Sequence, residues 1–141
     1  MLYPPRIGDI AVLLVQQPCH ERTLLVAMLR DGGIRTIGLA NGILPAALSI
    51  RRLRPDVILV DLDSVGAGGL ALAGGLDDLA GGPPPVVAMK WAPTATFVVQ
   101  AHALGAAAVL AKPYTRAALW RRIAGLGTNR PRELAEPPSV R

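Results

Sequence analysis

The feature that most constrains this chain is the alternation of short aliphatic runs with longer amphipathic stretches. The runs occupy residues 10–15, 34–39, 55–61, 86–89 and 107–111. They are too short for helices, and the first has no polar alternation, which is typical of a strand covered on both faces. Apolar residues recur at helical spacing after each run. This order predicts five βα units around a parallel sheet.

Turn and cap residues predict where the helices begin and end. Gly32 and Gly33 end the first helix, and Asn41 caps the second, with Pro45 in its first turn. The third is a short, weak, glycine-rich helix that carries Leu70, Leu72, Leu76 and Leu79. The fourth begins at Pro93 or Thr94 and ends at Gly105, and the last carries Ala117, Leu119, Trp120, Ile123 and Leu126.

Composition predicts one folded domain. The chain has 141 residues, 51% of them apolar and 18% charged, which favours a compact aliphatic core over disorder. We expect residues 1–126 to form the domain and the polar, proline-rich residues 127–141 to be a flexible C-terminal tail or linker stub. Cys19 is the single cysteine, and no apolar stretch approaches a membrane span, so a cytoplasmic protein is expected.

The chain carries a formal net charge of +5. Its arginines form short clusters, which are usually solvated helix faces. A surface for a polyanion or an acidic partner is the minority interpretation, and nucleic-acid binding by this domain alone is not expected.

Two motifs mark the ends of predicted strands. The sequence Pro-Asp-Val-Ile-Leu-Val-Asp at 55–61 ends in Asp61, and Leu-Gly-Ala-Ala-Ala-Val-Leu-Ala-Lys-Pro at 104–113 ends in Lys112 and Pro113. Together with the five βα units, they make residues 10–126 resemble the receiver domain of bacterial response regulators. The resemblance implies an α/β, flavodoxin-like, doubly wound five-stranded parallel sheet with strand order 2-1-3-4-5.

The resemblance also implies roles for two residues. Ligands in such folds lie outside the carboxyl ends of the strands, near the point where the strand order reverses, and Asp61 and Lys112 would meet there. In the family, the matching aspartate accepts a phosphoryl group and the matching lysine pairs with it. Asp61 is therefore the phosphoacceptor candidate and Lys112 its partner.

Other positions depart from the family pattern. The two acidic residues that hold Mg²⁺ in receivers are replaced by Gln16 and Gln17, and amides carry no charge. Lys90, followed by Trp91, stands where the family has a hydroxyl, and Val109 stands where it has a switching aromatic residue. The sequence therefore predicts no metal site and no cofactor.

These departures predict an unusual pocket. With two carboxylates removed and one ammonium added, we expect Lys90, Lys112 or both to pair with Asp61 in the resting state. Asp63 occupies a family position whose backbone carbonyl helps to hold the metal, and its side chain is expected to be a solvated loop acid. Trp91 is a candidate for a contact surface.

Three functional hypotheses follow. The leading one is a pseudo-receiver, not an enzyme, that signals through protein contacts without Mg²⁺-dependent phosphorylation. Its partner would be a histidine kinase or an output protein, or a second copy bound through the last two helices and strand five, with Val109 and Pro113 on that face. The alternatives are a phosphoaccepting regulator with Asp61 as acceptor, and the regulatory domain of a transcription or antitermination regulator. No catalytic residues are predicted, because Ser64 and Cys19 lack a matching base.

Overall fold

The five predicted strands form one parallel sheet. The computed structural model describes residues 2–3, 6–73, 83–127 and 132–133. The strands are β1 (Ala11–Val15), β2 (Thr36–Ala40), β3 (Val57–Asp61), β4 (Val86–Trp91) and β5 (Ala108–Lys112). Their spatial order is β2-β1-β3-β4-β5, so the predicted fold class and strand order are confirmed.

Helices cover both faces of this sheet. They are α1 (His20–Asp31), α2 (Ile43–Leu53), the single-turn α3 (Leu62–Val65), α4 (Ala95–Ala103) and α5 (Arg116–Gly127). A 3₁₀ segment, Ala67–Ala73, follows α3. Residues 2–3 and 132–133 form a separate two-residue antiparallel pair.

The core consists of two apolar layers, one on each face of the sheet. Side chains from α1 and α5, such as Leu25, Leu29, Leu119 and Ile123, pack on one face. Those from α2 and α4, such as Ala46, Ile50 and Ala101, pack on the other. Because β1 and β3 are buried on both faces, their sequences are nearly continuous aliphatic runs.

Helix caps set the residues at which α2 and α4 begin. The Thr94 side chain accepts a hydrogen bond from the Phe97 amide and caps α4, at one of the two residues predicted for its start. The predicted cap of α2 is wrong, because Gly42 occupies that position. Asn41 instead accepts a hydrogen bond of 2.7 Å from the Arg22 guanidinium.

Some predictions lie outside the described residues. Leu76 and Leu79 of the predicted third helix belong to this group, as do most residues of the predicted tail. Leu70 and Leu72 are buried, but in the 3₁₀ segment rather than in an α-helix. Within the described ranges, no helix is long and apolar enough to cross a membrane.

Candidate functional site

The carboxyl edge of the sheet brings three polar residues together. Asp61 is the last residue of β3, Lys112 is the last residue of β5, and Gln16 directly follows β1. They are 2%, 4% and 0% exposed, respectively. Burying polar groups so deeply is costly unless they bond to one another, so their mutual contacts decide whether this edge is stable.

Both carboxylate oxygens of Asp61 accept hydrogen bonds. Oδ1 accepts from Lys112 Nζ at 2.7 Å and from the Asp63 amide at 3.1 Å. Oδ2 accepts from Gln16 Nε2 at 2.7 Å. The predicted pairing of Asp61 with Lys112 is thus present. The amide of Gln16 is a further donor that the sequence did not predict.

Lys112 also binds a second carboxylate. Its Nζ lies 2.9 Å from Oε1 of Glu21, in the first turn of α1, and 3.5 Å from Oδ2 of Asp63. Burial acts to lower the pKa of Lys112, but the hydrogen bonds to Asp61 and Glu21 outweigh it and raise that pKa above its usual value. The ammonium is therefore a permanent charge of the pocket near neutral pH.

Lys90 pairs with Asp63 and not with Asp61. Its Nζ lies 2.8 Å from Asp63 Oδ1, and the Trp91 amide donates to Asp63 Oδ2 at 2.9 Å. Burial acts to raise the pKa of Asp63, but these hydrogen bonds and the two lysine charges lower it below its usual range. The sequence predicts a solvated loop acid at Asp63, and the structure shows a carboxylate that joins the carboxyl edges of β3 and β4.

Gln16 and Gln17 occupy different environments. Gln17 is exposed, and its backbone amide donates to Ser64 Oγ at 2.7 Å. Gln16 is buried, and its Oε1 has no hydrogen-bond partner among the described residues. The pocket therefore contains one neutral oxygen with unused acceptor capacity beside the Asp61 carboxylate.

Trp91 lies at the mouth of the pocket and is 54% exposed. It lines a cleft of about 200 Å³ together with Asp61, Asp63 and Lys112. It also lines an adjoining apolar cleft of about 310 Å³. The other residues of that cleft are Glu21, Leu24, Leu25, Met28, Lys112, Pro113 and Tyr114.

The remaining predicted positions, Val109 and Pro113, line a further groove on the surface. Together with Tyr114, Arg121 and Arg122 they line a groove of about 430 Å³ between β5 and α5. Val109 is partly buried against the core, and Pro113 is exposed. Val109 thus lies apart from the pocket around Asp61, whereas Pro113, which follows Lys112, also lines the apolar cleft beside that pocket.

Solved structures that match this fold include receiver domains of signalling proteins. The chain matches the receiver domain of a DNA-binding response regulator from Colwellia psychrerythraea 34H with a TM-score of 0.72 and 25% identity, covering 84% of this chain and 98% of that one. The chain has the fold of a receiver domain. A second match is the receiver domain of a sensor histidine kinase from Pseudomonas aeruginosa PAO1, solved with magnesium in its active-site cleft. Its TM-score is 0.65 at 26% identity, covering 84% of this chain and 97% of that one.

The chain is also similar in sequence to part of a longer protein. The chain is 33% identical over 105 residues to a protein-glutamate methylesterase/protein-glutamine glutaminase from Xanthomonas oryzae pv. oryzae, a match that covers 74% of this chain. It spans 29% of the length of that relative. The receiver domain of yeast Ssk1, solved in complex with the phosphotransfer protein Ypd1, is similar in fold, with a TM-score of 0.71 and 21% identity, covering 90% of this chain and 92% of that one. No family model matches the chain.

Lys112 and Tyr114 should make the free energy of unfolding depend on pH in the alkaline range. The pKa values of Lys112 and Tyr114 are both raised on folding, Tyr114 chiefly by burial and by the charge of Glu21. For each group, the stability it contributes is complete below its unfolded pKa, 10.5 and 10.0, and is lost as pH rises through the higher folded value. We expect the free energy of unfolding to fall above about pH 10. Urea titrations across that range should show a shallower fall for Tyr114→Phe, and an equal fall in both proteins would contradict the assignment.

Proposed function

We propose that this receiver-fold domain signals through protein contacts and that an internal ion pair, rather than Mg²⁺-dependent phosphorylation of Asp61, sets the state of its pocket. The observation that carries this proposal is the position of the Lys112 ammonium, 2.7 Å from Asp61 Oδ1. With Gln16 on Oδ2, both oxygens of the carboxylate are already occupied. The domain would then act as a binding module and not as an enzyme.

The donor set around Asp61 is a poor match for Mg²⁺. This ion takes oxygen ligands in near-octahedral geometry and is usually held by carboxylates. Gln16 and Gln17 offer neutral amides, and Lys112 Nζ contacts Asp61, Glu21 and Asp63, the carboxylates that a metal would need.

Glu21 adds a negative charge to the pocket around Asp61. The sequence predicts a pocket with two carboxylates fewer and one ammonium more than the family pattern, but Glu21 returns a carboxylate from α1. Three acids, Glu21, Asp61 and Asp63, therefore face two ammonium groups, those of Lys90 and Lys112. The proposal rests on contacts made by Lys112 and not on an excess of positive charge.

A conventional phosphoacceptor is the second candidate function. Its support is the same Asp61 and Lys112 pair, which the receiver resemblance assigns to phosphoryl transfer. In that case a histidine kinase or phosphotransfer protein, as in the yeast complex, would supply the phosphoryl group. A partner or second copy at the face of α4, β5 and α5 fits either function. On that face Val99 is 68% exposed, and the groove beside Arg121 and Arg122 is open.

Phosphoryl labelling distinguishes the two functions. The full chain is incubated with acetyl phosphate and Mg²⁺ and analysed by intact mass, and in parallel with beryllofluoride and Mg²⁺ by amide NMR. We expect no phosphoryl adduct and no shifts near Asp61 beyond those of the matched Asp61→Asn variant. A Mg²⁺-dependent adduct that is lost in Asp61→Asn would overturn the proposal and establish the phosphoacceptor.

A further inference from the structure

The exposed face of α2 carries a stripe of two leucines followed by arginines. Leu44 and Leu48 are 81% and 64% exposed and stand one turn apart. Arg51 and Arg52 continue the same stripe a turn later, since positions three and four apart share a helix face. Large aliphatic side chains exposed in consecutive turns of one helix are typical of an interaction surface.

A third arginine, Arg54, is the C-cap residue of α2. Arg54 has φ 49° and ψ 61°, in the left-handed region that favours glycine. Helices commonly end in this conformation, and the Arg54 amide donates to the Ile50 carbonyl at 2.9 Å. Arg54 and Arg52 are exposed, and neither pairs with a carboxylate among the described residues.

The charge of α2 narrows the choice of occupant. The helix contains no acidic residue, so a second copy packed α2 against α2 would offer its arginines no carboxylate. A nucleic acid would neutralise the arginines, but its phosphates would leave Leu44 and Leu48 without an apolar partner. An acidic amphipathic helix would offer apolar side chains to the leucines and carboxylates to the arginines.

We propose that the α2 face, defined here as Leu44, Leu48 and Arg52 on the helix together with Arg54 at its C-terminal end, binds an acidic amphipathic helix of a partner protein. The leucines of that helix cover Leu44 and Leu48, and its carboxylates pair with Arg52 and Arg54. This surface lies on the opposite side of the sheet from α1 and α5. None of these four residues contacts Asp61, so the proposal does not rest on the function proposed for that residue.

The probe is a short synthetic helical peptide with leucines at helical spacing and glutamates flanking them. A control peptide keeps the leucines and replaces each glutamate with lysine. In NMR titrations of the full chain, we expect saturable shifts confined to α2 with the acidic peptide and none with the lysine peptide. Leu44→Ser/Leu48→Ser and Arg52→Glu/Arg54→Glu should each weaken binding by about tenfold or more, the second more steeply at low salt.

Other outcomes would overturn the proposal. Equal binding of both peptides, or shifts mapping elsewhere, would remove the acidic helix as the occupant. A dimer in sedimentation that Leu44→Ser/Leu48→Ser converts to monomer would assign the face to a second copy. Binding of duplex DNA or anionic vesicles that needs Arg52 and Arg54, without binding of the acidic peptide, would assign it to a polyanion.

Discussion

Replacing Lys112 with methionine is expected to lower the free energy of unfolding by about 3 kcal/mol at neutral pH, since removing one partner of a buried ion pair typically costs 3–5 kcal/mol. The cost arises because the Asp61 carboxylate loses its ammonium partner. Asp61 is 2% exposed and would be left with only the Gln16 amide and the Asp63 backbone amide as donors. Urea denaturation followed by circular dichroism measures the loss.

Two further variants separate this effect from a general packing defect. Asp61→Asn/Lys112→Met removes both charges, and we expect it to recover at least half of the lost stability, because a neutral pair leaves no buried charge unpaired. Lys90→Met breaks the partly exposed pair with Asp63 and should cost at most about 1 kcal/mol. If Lys90→Met and Lys112→Met were equally destabilising, the Lys112 ammonium would not be the main source of stability in the pocket.

Much of the fold could be predicted because β1, β3 and β4 are buried on both faces. Such strands are continuous aliphatic runs, and their order along the chain with intervening helices leaves few topologies open. The residues at which helices begin were less predictable. Asn41 has the side chain of a good cap, but a contact with Arg22, nineteen positions away in sequence, takes that side chain and leaves the cap to Gly42.

The site shows the same division between local and long-range information. Asp61 and Lys112 could be placed together because each ends a parallel strand, and carboxyl ends of parallel strands share one edge of the sheet. Glu21 was missed because its contact with Lys112 depends on how α1 lies over the sheet. The sequence also did not indicate that the Lys90 side chain would pair with Asp63 rather than with Asp61. A carboxylate in the first turn of the helix after β1 is a signal that could have indicated Glu21.

Restoring the acids at positions 16 and 17 should restore a Mg²⁺ site. Gln16→Glu keeps the shape of the buried side chain while it replaces the donor to Asp61 with a carboxylate, and Gln17→Asp adds a second carboxylate beside it. Like charges this close favour a divalent cation strongly. We expect the double variant to bind Mg²⁺ at least about tenfold more tightly than the natural sequence, as measured by amide NMR titration.

The matched control, Gln17→Asn, shortens the same exposed side chain without adding charge and should leave Mg²⁺ affinity unchanged. Acetyl phosphate labelling should follow the metal, appearing in the double variant and disappearing when Asp61→Asn is added. If the double variant binds Mg²⁺ but is not labelled, the Lys112 ammonium still occupies the Asp61 carboxylate in the metal-bound protein. If the double variant gains no Mg²⁺ affinity, the missing acids are not what separates this pocket from a metal-binding receiver.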